Sequence, residues 1–392
     1  MTTVDLGALG FEQGGSLLVK RALRTAEPGA LVTVTGSSPD LAIHLRGWCR
    51  AEGHRFESNG SSAAIIKGTA DAERWTGADR AGGAAVDGVV SSPPQRWGLA
   101  ARGALVESGA PEFAFALAAK EQVWSDDAPR IYAIAAANQW DPATSIPWND
   151  PFDLPEEIED AVVQVMTYLI ENETAALVVP SRFLAQLHPH FREVMQVLAV
   201  QAADEARHIE VFTRRALLRR GELGVSTAGG QASLKTLVDE PDFAIASFLL
   251  SVLGEGTFLT LLWFLARHAP DAVTEAVCRL AAQDEARHVA FGMAHLREHI
   301  ERDASLLGRL ANAVRRRHRE LEHTAGLNAQ VFDGLQLIAA GSWDLDALRE
   351  GNGRVARLLA DMHDGRRSRL VKLGFSEDEA DELAGLHTRN FM

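Results

Sequence analysis

A five-residue block occurs twice in this chain and constrains its fold more than any other feature. Asp204-Glu-Ala-Arg-His208 returns unchanged as Asp284-Glu-Ala-Arg-His288. Both copies lie in helix-compatible runs, and side chains three apart on a helix share a face. Glu205 and His208 therefore point one way together, and so do Glu285 and His288. A carboxylate and an imidazole aimed at one point are donor types that first-row metals take. A lone Glu-x-x-His is common on helices; a repeat that keeps all five residues reads as a duplicated half-site.

Each copy has a further carboxylate upstream on an apolar face. Glu173 stands 32 residues before Glu205, and Glu255 stands 30 before Glu285. Glu173 shares its helical face with Met166, Leu169, Ile170, Ala176 and Leu177, whereas Glu171 shares a wetter one with Gln164, Thr167 and Thr174. Glu255 lies with Phe248, Val252, Phe258, Leu259 and Leu262. Burying an unpaired carboxylate is strongly unfavourable, and metal coordination removes that penalty. The candidate ligands are thus Glu173, Glu205, His208, Glu255, Glu285 and His288. Four carboxylates balance two divalent ions, and an oxygen-rich set with one imidazole per ion suits iron or manganese and leaves positions open for O2.

Four long helices are expected to carry these residues. The first runs from Glu156 to about Val179, where Pro180 interrupts or kinks it. The second lies between Pro189 and about Leu223, the third between Pro241 and about His268, and the fourth between Pro270-Asp271 and about Ile300. A tight turn makes the last two antiparallel neighbours, while Gly224 to Glu240 is a long crossover rich in Gly, Ser and Thr. Phe243 to Leu265 is long and apolar enough for a membrane span. Glu255 near its middle favours instead a buried helix of a bundle.

Two helical hairpins, a duplicated Glu-x-x-His and a Glu from each of two further helices resemble the ferritin-like di-iron carboxylate superfamily. The resemblance implies a mainly α fold, a ferritin-like four-helix bundle with extra helices. It implies bridging roles for Glu205 and Glu285 and terminal ones for Glu173 and Glu255. The Asp-Glu-x-Arg-His block is similar to that of bacterial multicomponent monooxygenases, where the Asp hydrogen-bonds a ligand His and the Arg lies behind it. Asp204, Arg207, Asp284 and Arg287 are expected in that supporting layer, the Asp residues reaching crosswise between helices. A ligating His needs an acceptor for its other N–H. The alternative for these four is an exposed Asp–Arg pair on each helix.

By the same resemblance the cofactor is two iron ions, with manganese or a mixed Mn/Fe pair as alternatives, and O2 is the co-substrate. The implied activity is that of a non-haem di-iron oxygenase, a hydroxylase or N-oxygenase, on a small organic or carrier-bound substrate. A reductase or ferredoxin would donate electrons. A ferroxidase or manganese catalase without an organic substrate is one alternative; a partner-recruiting protein with a structural metal site is another. In the small subunit of ribonucleotide reductase a radical Tyr occupies the position that corresponds to Phe212, which speaks against radical generation here.

The rest of the chain divides by composition. Residues 1–68 read as a small two-layer α/β domain, 69–94 as a Gly-, Ala- and Ser-rich linker, and 95–392 as the bundle domain. In the first, a helix over Ser16 to Ala26, Pro28-Gly29, a strand at Leu31 to Thr35, a helix from Ser38-Pro39-Asp40 to Ala51, and strands near Arg55 and Ala63 resemble the TusA-like sulfur-carrier fold. That family carries its persulfide on a cysteine opening the first helix. Here the stretch is Glu12-Gln-Gly-Gly15 and Cys49 lies in the second helix, so a docking or oligomerisation role, as a homodimer, is expected instead. Pro111 to Trp124 and Pro129 to Gln139 look helical. Trp140-Asp-Pro142 and Ile146-Pro-Trp148 look like an aromatic lid on the bundle or a wall of a substrate pocket. Beyond Arg302 further helices are expected, with basic clusters at Arg315 to Arg319 and at Arg366, Arg367 and Arg369. These read as solvated faces or as a dock for an anionic substrate handle. Ser376-Glu-Asp-Glu379 is a capping box.

A formal net charge of −14 excludes nucleic acid as the default partner. Two cysteines exclude a disulfide scaffold and a multi-cysteine metal site, and with no signal-peptide pattern they fit a cytoplasmic protein away from membranes.

Overall fold

The structure, a computed structural model, describes residues 2–59, 62–84, 87–322 and 329–387. It divides into two compact units. One comprises Met1–Gly88 with Arg96–Phe113, the other Val89–Gln95 with Ala114–Met392.

The first unit begins as β1 (Thr2–Asp5), α1 (Gly15–Thr25), β2 (Leu31–Thr35), α2 (Leu41–Ala51), β3 (Arg55–Asn59) and β4 (Ser62–Ile66). The sheet order is β1-β2-β4-β3, with β1 parallel to β2 and the other pairs antiparallel. Strand period two sets the layers. Val32 and Val34 of β2 and Ala63 and Ile65 of β4 are buried against Val19 and Leu23 of α1 and Leu45 and Cys49 of α2. Strand β1 was not foreseen, because four residues with one buried apolar side chain carry little pattern. Residues beyond 68, read from composition as linker, also carry structure. They form α3 (Ala70–Arg74) and β5 (Asp79–Arg80), and β5 pairs with β6 (Leu105–Val106).

The second unit opens with α4 (Lys120–Val123) and α5 (Ala128–Ala137). Only the end of the stretch Pro111 to Trp124 is helical. Leu117 instead bridges Leu187 in parallel, donating to the Gln186 carbonyl and accepting from His188. The bundle helices are α6 (Glu156–Leu184), α7 (Arg192–Ala216), a third composite helix, and α11 (Ala272–Arg302). The third consists of α9 (Phe243–Ser247), a π-helical segment (Phe248–Glu255) and α10 (Gly256–His268). The crossover contains α8 (Ala228–Val238), capped by the Thr227 hydroxyl. Asp242 and Asp271 cap α9 and α11, each accepting from the amide three residues on. Four helices follow: α12 (Ser305–Leu321), α13 (Ala329–Ala340), α14 (Leu345–Leu373) and α15 (Glu377–His387). Ser376 accepts from the Glu379 amide, the first half of the capping box. The architecture is mainly α: a four-helix bundle with one long crossover and added helices, and a small strand-containing N-terminal unit.

Three expectations need correction. Pro180 does not end α6, which runs on to Leu184. The last turn is held from outside: Phe183 packs on Phe243 at 5.2 Å between ring centroids, and Arg182 donates to the carbonyls of Val238 and Glu240. The third helix is not α-helical throughout. The basic clusters are only partly solvated: Arg315 pairs with Glu379 and Glu382, Arg316 with Glu240 and Arg367 with Glu377, while Arg317 and Arg366 are buried.

Helix α6 and the composite third helix are both apolar enough, by length and composition, to cross a membrane; 67% and 83% of their apolar windows are buried inside the bundle. Arg215 of α7 crosslinks the bundle core. It reaches both Glu159 oxygens at 2.8 and 2.9 Å, Asp271 at 2.8 Å and the Thr274 hydroxyl at 2.7 Å, and it is fully buried. Removing one partner of such a network strands the others without solvent. Arg215→Ala is expected to cost about 3–5 kcal/mol of unfolding free energy, measured by urea denaturation of the metal-free protein.

Candidate metal centre

The duplicated blocks sit on α7 and α11, and Glu173 on α6 and Glu255 at the end of the π-helical segment complete the cluster. All six side chains are 0–4% exposed. Their donor atoms fall into two overlapping groups, Glu173 with Glu205, His208 and Glu285, and Glu205 with Glu255, Glu285 and His288. Within each group the ligand atoms lie within 4.8 Å of one another.

The distances distinguish shared from unshared carboxylates. Glu205 sets Oε2 3.1 Å from His208 Nδ1 and Oε1 3.1 Å from His288 Nδ1. Glu285 does the same at 3.4 Å to each ring. Glu173 approaches His208 alone, at 3.6 Å, and Glu255 approaches His288 alone, at 3.9 Å. Two carboxylates thus face both histidines and two face one each. Glu171, the rejected neighbour of Glu173, is partly exposed and lines an apolar surface groove with Ile170, Val178 and Leu234.

Behind the ligands the two halves are crosslinked. His208 Nε2 meets Asp284 Oδ2 at 3.1 Å, and His288 Nε2 meets Asp204 Oδ2 at 3.3 Å. A carboxylate at this point accepts, so each Nε2 carries a proton, while each Nδ1 faces the carboxylate cluster, protonated in the metal-free state and able to offer its lone pair to a cation that displaces that proton. The contacts are crosswise between α7 and α11. Arg207 bridges both Asp residues, at 2.5 Å to Asp204 and 2.7 Å to Asp284, and Arg287 also contacts both. The exposed Asp–Arg pair is not what forms: Asp204 and Asp284 are fully buried.

Four supporting residues escaped the sequence. Gln139 donates to Asp204 at 2.8 Å and accepts from Arg207, and Trp140 Nε1 donates to Asp284 Oδ2 at 2.8 Å. The Trp140 ring lies nearly parallel to His208, 13° between planes, and the Arg207 guanidinium sits 4.5 Å from it. The aromatic segment after α5 therefore reaches the Asp layer directly. It follows the helix as irregular chain, where no periodicity reports direction. Gln201 donates to Glu255 Oε1 at 2.7 Å. It precedes Glu205 by four and His208 by seven, so the same-face rule could have found it. Ser251 hydrogen-bonds Glu255 from one turn upstream. Phe212 packs 6.3 Å from the His208 ring and offers no hydroxyl.

The electrostatics fit a cation cluster. Burial, with Glu205 and Glu285 beside it, pushes the Glu173 carboxyl well above its ordinary range. Burial and Glu285 do the same to Glu255. Burial alone would lower the two histidines, yet Glu173 beside His208 and Glu205 beside His288 raise both well above theirs. Oε1 of Glu173, Oε1 of Glu205, Oε2 of Glu255 and both oxygens of Glu285 are buried without a hydrogen-bond partner among the described residues. Unsatisfied buried carboxylate oxygens are costly unless a cation meets them. The residues present therefore suit two divalent ions, held by Glu173 and His208 on one side, Glu255 and His288 on the other, and Glu205 and Glu285 between.

No family model matches the sequence, and no curated protein matches it. Solved structures do. The chain is similar to an R2-like ligand-binding oxidase from Sulfolobus acidocaldarius at 15% identity, over 65% of this chain and 94% of that one, with a TM-score of 0.42. It is similar to a second R2-like ligand-binding oxidase with an aerobically reconstituted metal cofactor after photoconversion, at 18% identity over 68% and 92%, TM-score 0.44. It is similar to phenol hydroxylase from Pseudomonas sp. OX1 at 13% identity over 59% and 72%, TM-score 0.34.

Two outcomes are expected of this site. Asp204→Ala or Asp284→Ala, which leaves a ligand His without its acceptor, should weaken metal affinity about 10–100-fold, read by titration of the metal-free protein. The raised histidines and the raised Glu173 and Glu255 all hold protons in the folded metal-free state that the unfolded chain releases. That stabilisation is present below the unfolded pKa values and is lost as pH rises through the folded ones. The melting temperature of metal-free protein should therefore fall as pH rises above about 6. Bound metal displaces those protons, so its stabilisation should grow over the same interval.

Proposed function

We propose that this chain is an O2-dependent non-haem di-iron oxygenase, a hydroxylase or N-oxygenase acting on a small organic or carrier-bound substrate. The observation that carries this reading is the symmetric cluster itself: two shared carboxylates, two unshared ones and two crosswise-held imidazoles, with five carboxylate oxygens unsatisfied.

Two bound iron ions would supply reducing equivalents to O2 and a place for it to bind. The protein's part follows from its own atoms. Asp204 and Asp284 fix each imidazole tautomer and ring plane, so that Nδ1 is the donor presented inward. Arg207 and Arg287 offset the charge of that Asp pair and keep it ionised. Glu173 and Glu255 have one free oxygen each and face one histidine only, so they are the carboxylates able to shift as ligands change. The near-complete burial of all six excludes bulk water from the oxidant. This burial favours an oxygenase over a solvent-open iron-handling or peroxide-detoxifying site.

In the overall reaction one oxygen atom enters the substrate and the other leaves as water. Two electrons and two protons complete the balance, and a reductase or ferredoxin is the donor class we expect. We read the N-terminal unit as a TusA-like sulfur-carrier fold without its nucleophile, serving docking or oligomerisation. Its βαβαββ order supports this, and burial pushes the Cys49 thiol up to about 11, which removes it as a nucleophile.

Glu205→Ala and His288→Ala should abolish iron loading while circular dichroism remains that of the parent; unchanged metal content in both would overturn the assignment. Stopped-flow mixing of the iron(II)-loaded protein with O2 should give a transient visible absorption that decays faster with one class of organic substrate. Rapid catalase turnover by a manganese form, with no such transient, would replace this reading with the peroxide-handling one.

A further inference from the structure

Glu255 differs from the other five candidate ligands in the backbone that carries it. It is the last residue of the π-helical segment Phe248–Glu255, and Gly256 begins α10 directly after it. π-Helical turns use i→i+5 bonds, and the return to α-geometry disturbs the pairing of carbonyls near the exit. Such carbonyls need donors from elsewhere. Here two of them accept from side chains, Leu253 in addition to the Gly256 amide. The Val252 carbonyl accepts from Arg369 Nε at 2.7 Å, and the Leu253 carbonyl accepts from the Thr257 hydroxyl at 2.6 Å, which in turn accepts from Arg366 at 3.2 Å.

Arg369 comes from α14, far away in sequence. Among the described residues it has no carboxylate partner, and burial holds its guanidinium down to about 10, so an ion pair does not explain its inward course. The space it fills is the space Gly256 leaves. A Cβ on Gly256 would lie 2.5 Å from the Arg369 Cζ, far inside contact distance. On the other flank a Cβ on Gly292 of α11 would lie 2.6 Å from the Ser251 Cβ, so that glycine lets the segment approach α11 closely. The segment is thus pressed between a glycine and a guanidinium, with the carboxylate of Glu255 at its end.

We propose that Arg369 is a positioning residue for the second half-site: seated against Gly256, it holds the exit of the π-helical segment through the Val252 carbonyl and so sets where Glu255 presents its free oxygen. The inference rests on the di-metal reading of the six ligands. It assigns Arg369 to one half only, because Glu173 and His208 sit on regular α-helix and need no such hold.

The test is anaerobic titration of the metal-free full chain with Mn(II), followed by equilibrium dialysis and electron paramagnetic resonance, with circular dichroism as the fold control. The parent should bind two ions and give the spectrum of a coupled pair. Arg369→Ala should keep one tight ion with a mononuclear spectrum and bind the second about 10–100-fold more weakly. Arg369→Lys, which keeps a donor for the carbonyl, should recover part of that loss. Gly256→Ala, whose Cβ displaces the guanidinium, should reproduce it and carries the same test where Arg369→Ala fails to fold. Two ions bound with parental affinity in Arg369→Ala and Gly256→Ala would overturn the positioning role and leave the metal site standing. Equal weakening of both ions, or no recovery with Lys, would also overturn it. A parent that binds no ion would overturn the site and the inference together.

Discussion

Four carboxylates within a few ångströms of one another in an apolar bundle cannot all be ionised without cations, and much of the second unit is arranged around that fact. Like-charge repulsion and desolvation both favour protonation, as the raised Glu173 and Glu255 show. Glu205 instead is held low by His288 and His208 despite its burial. The cluster in the metal-free state is therefore a balance of shared protons that metal ions are suited to replace.

The same repulsion explains the layered construction behind the ligands. Each histidine is held by the Asp of the opposite block, so α7 and α11 are tied together at the point where the carboxylates would push them apart. Arg207 and Arg287 then compensate the two Asp residues, and Gln139 and Trp140 add one donor each to Asp204 and Asp284. A buried network of this kind stabilises only when every member is satisfied. Near the C-terminal end of α7, Arg215 meets that requirement with Glu159, Asp271 and Thr274.

Legibility followed periodicity. The duplicated block and the apolar faces of Glu173 and Glu255 were enough to name all six clustered residues, because helical spacing converts sequence position into direction. The crosswise Asp–His contacts were expected from the chemistry of ligand histidines. The linker boundary at residue 69, the helix from Pro111 and the stop at Pro180 were misread for one shared reason: local composition and propensity were overruled by contacts distant in sequence, such as Leu117 with Leu187 and Phe183 with Phe243. Gln139 and Trp140 lie on irregular chain, and Arg369 is separated from Glu255 by three further helices, so neither had a periodic signal.

What the sequence determined by itself was a set of six candidate donors, the mainly α bundle that presents them and their pairing in two halves. Residue type and helical period suffice for those. Only the tertiary structure decided that Gln139, Trp140 and Gln201 reach the Asp layer and Glu255, and that the third helix carries Glu255 on a π-helical segment between Gly292 and Arg369. These depend on how closely helices approach and on which side chains fill the gaps between them, quantities set by packing across the bundle and absent from any single helix.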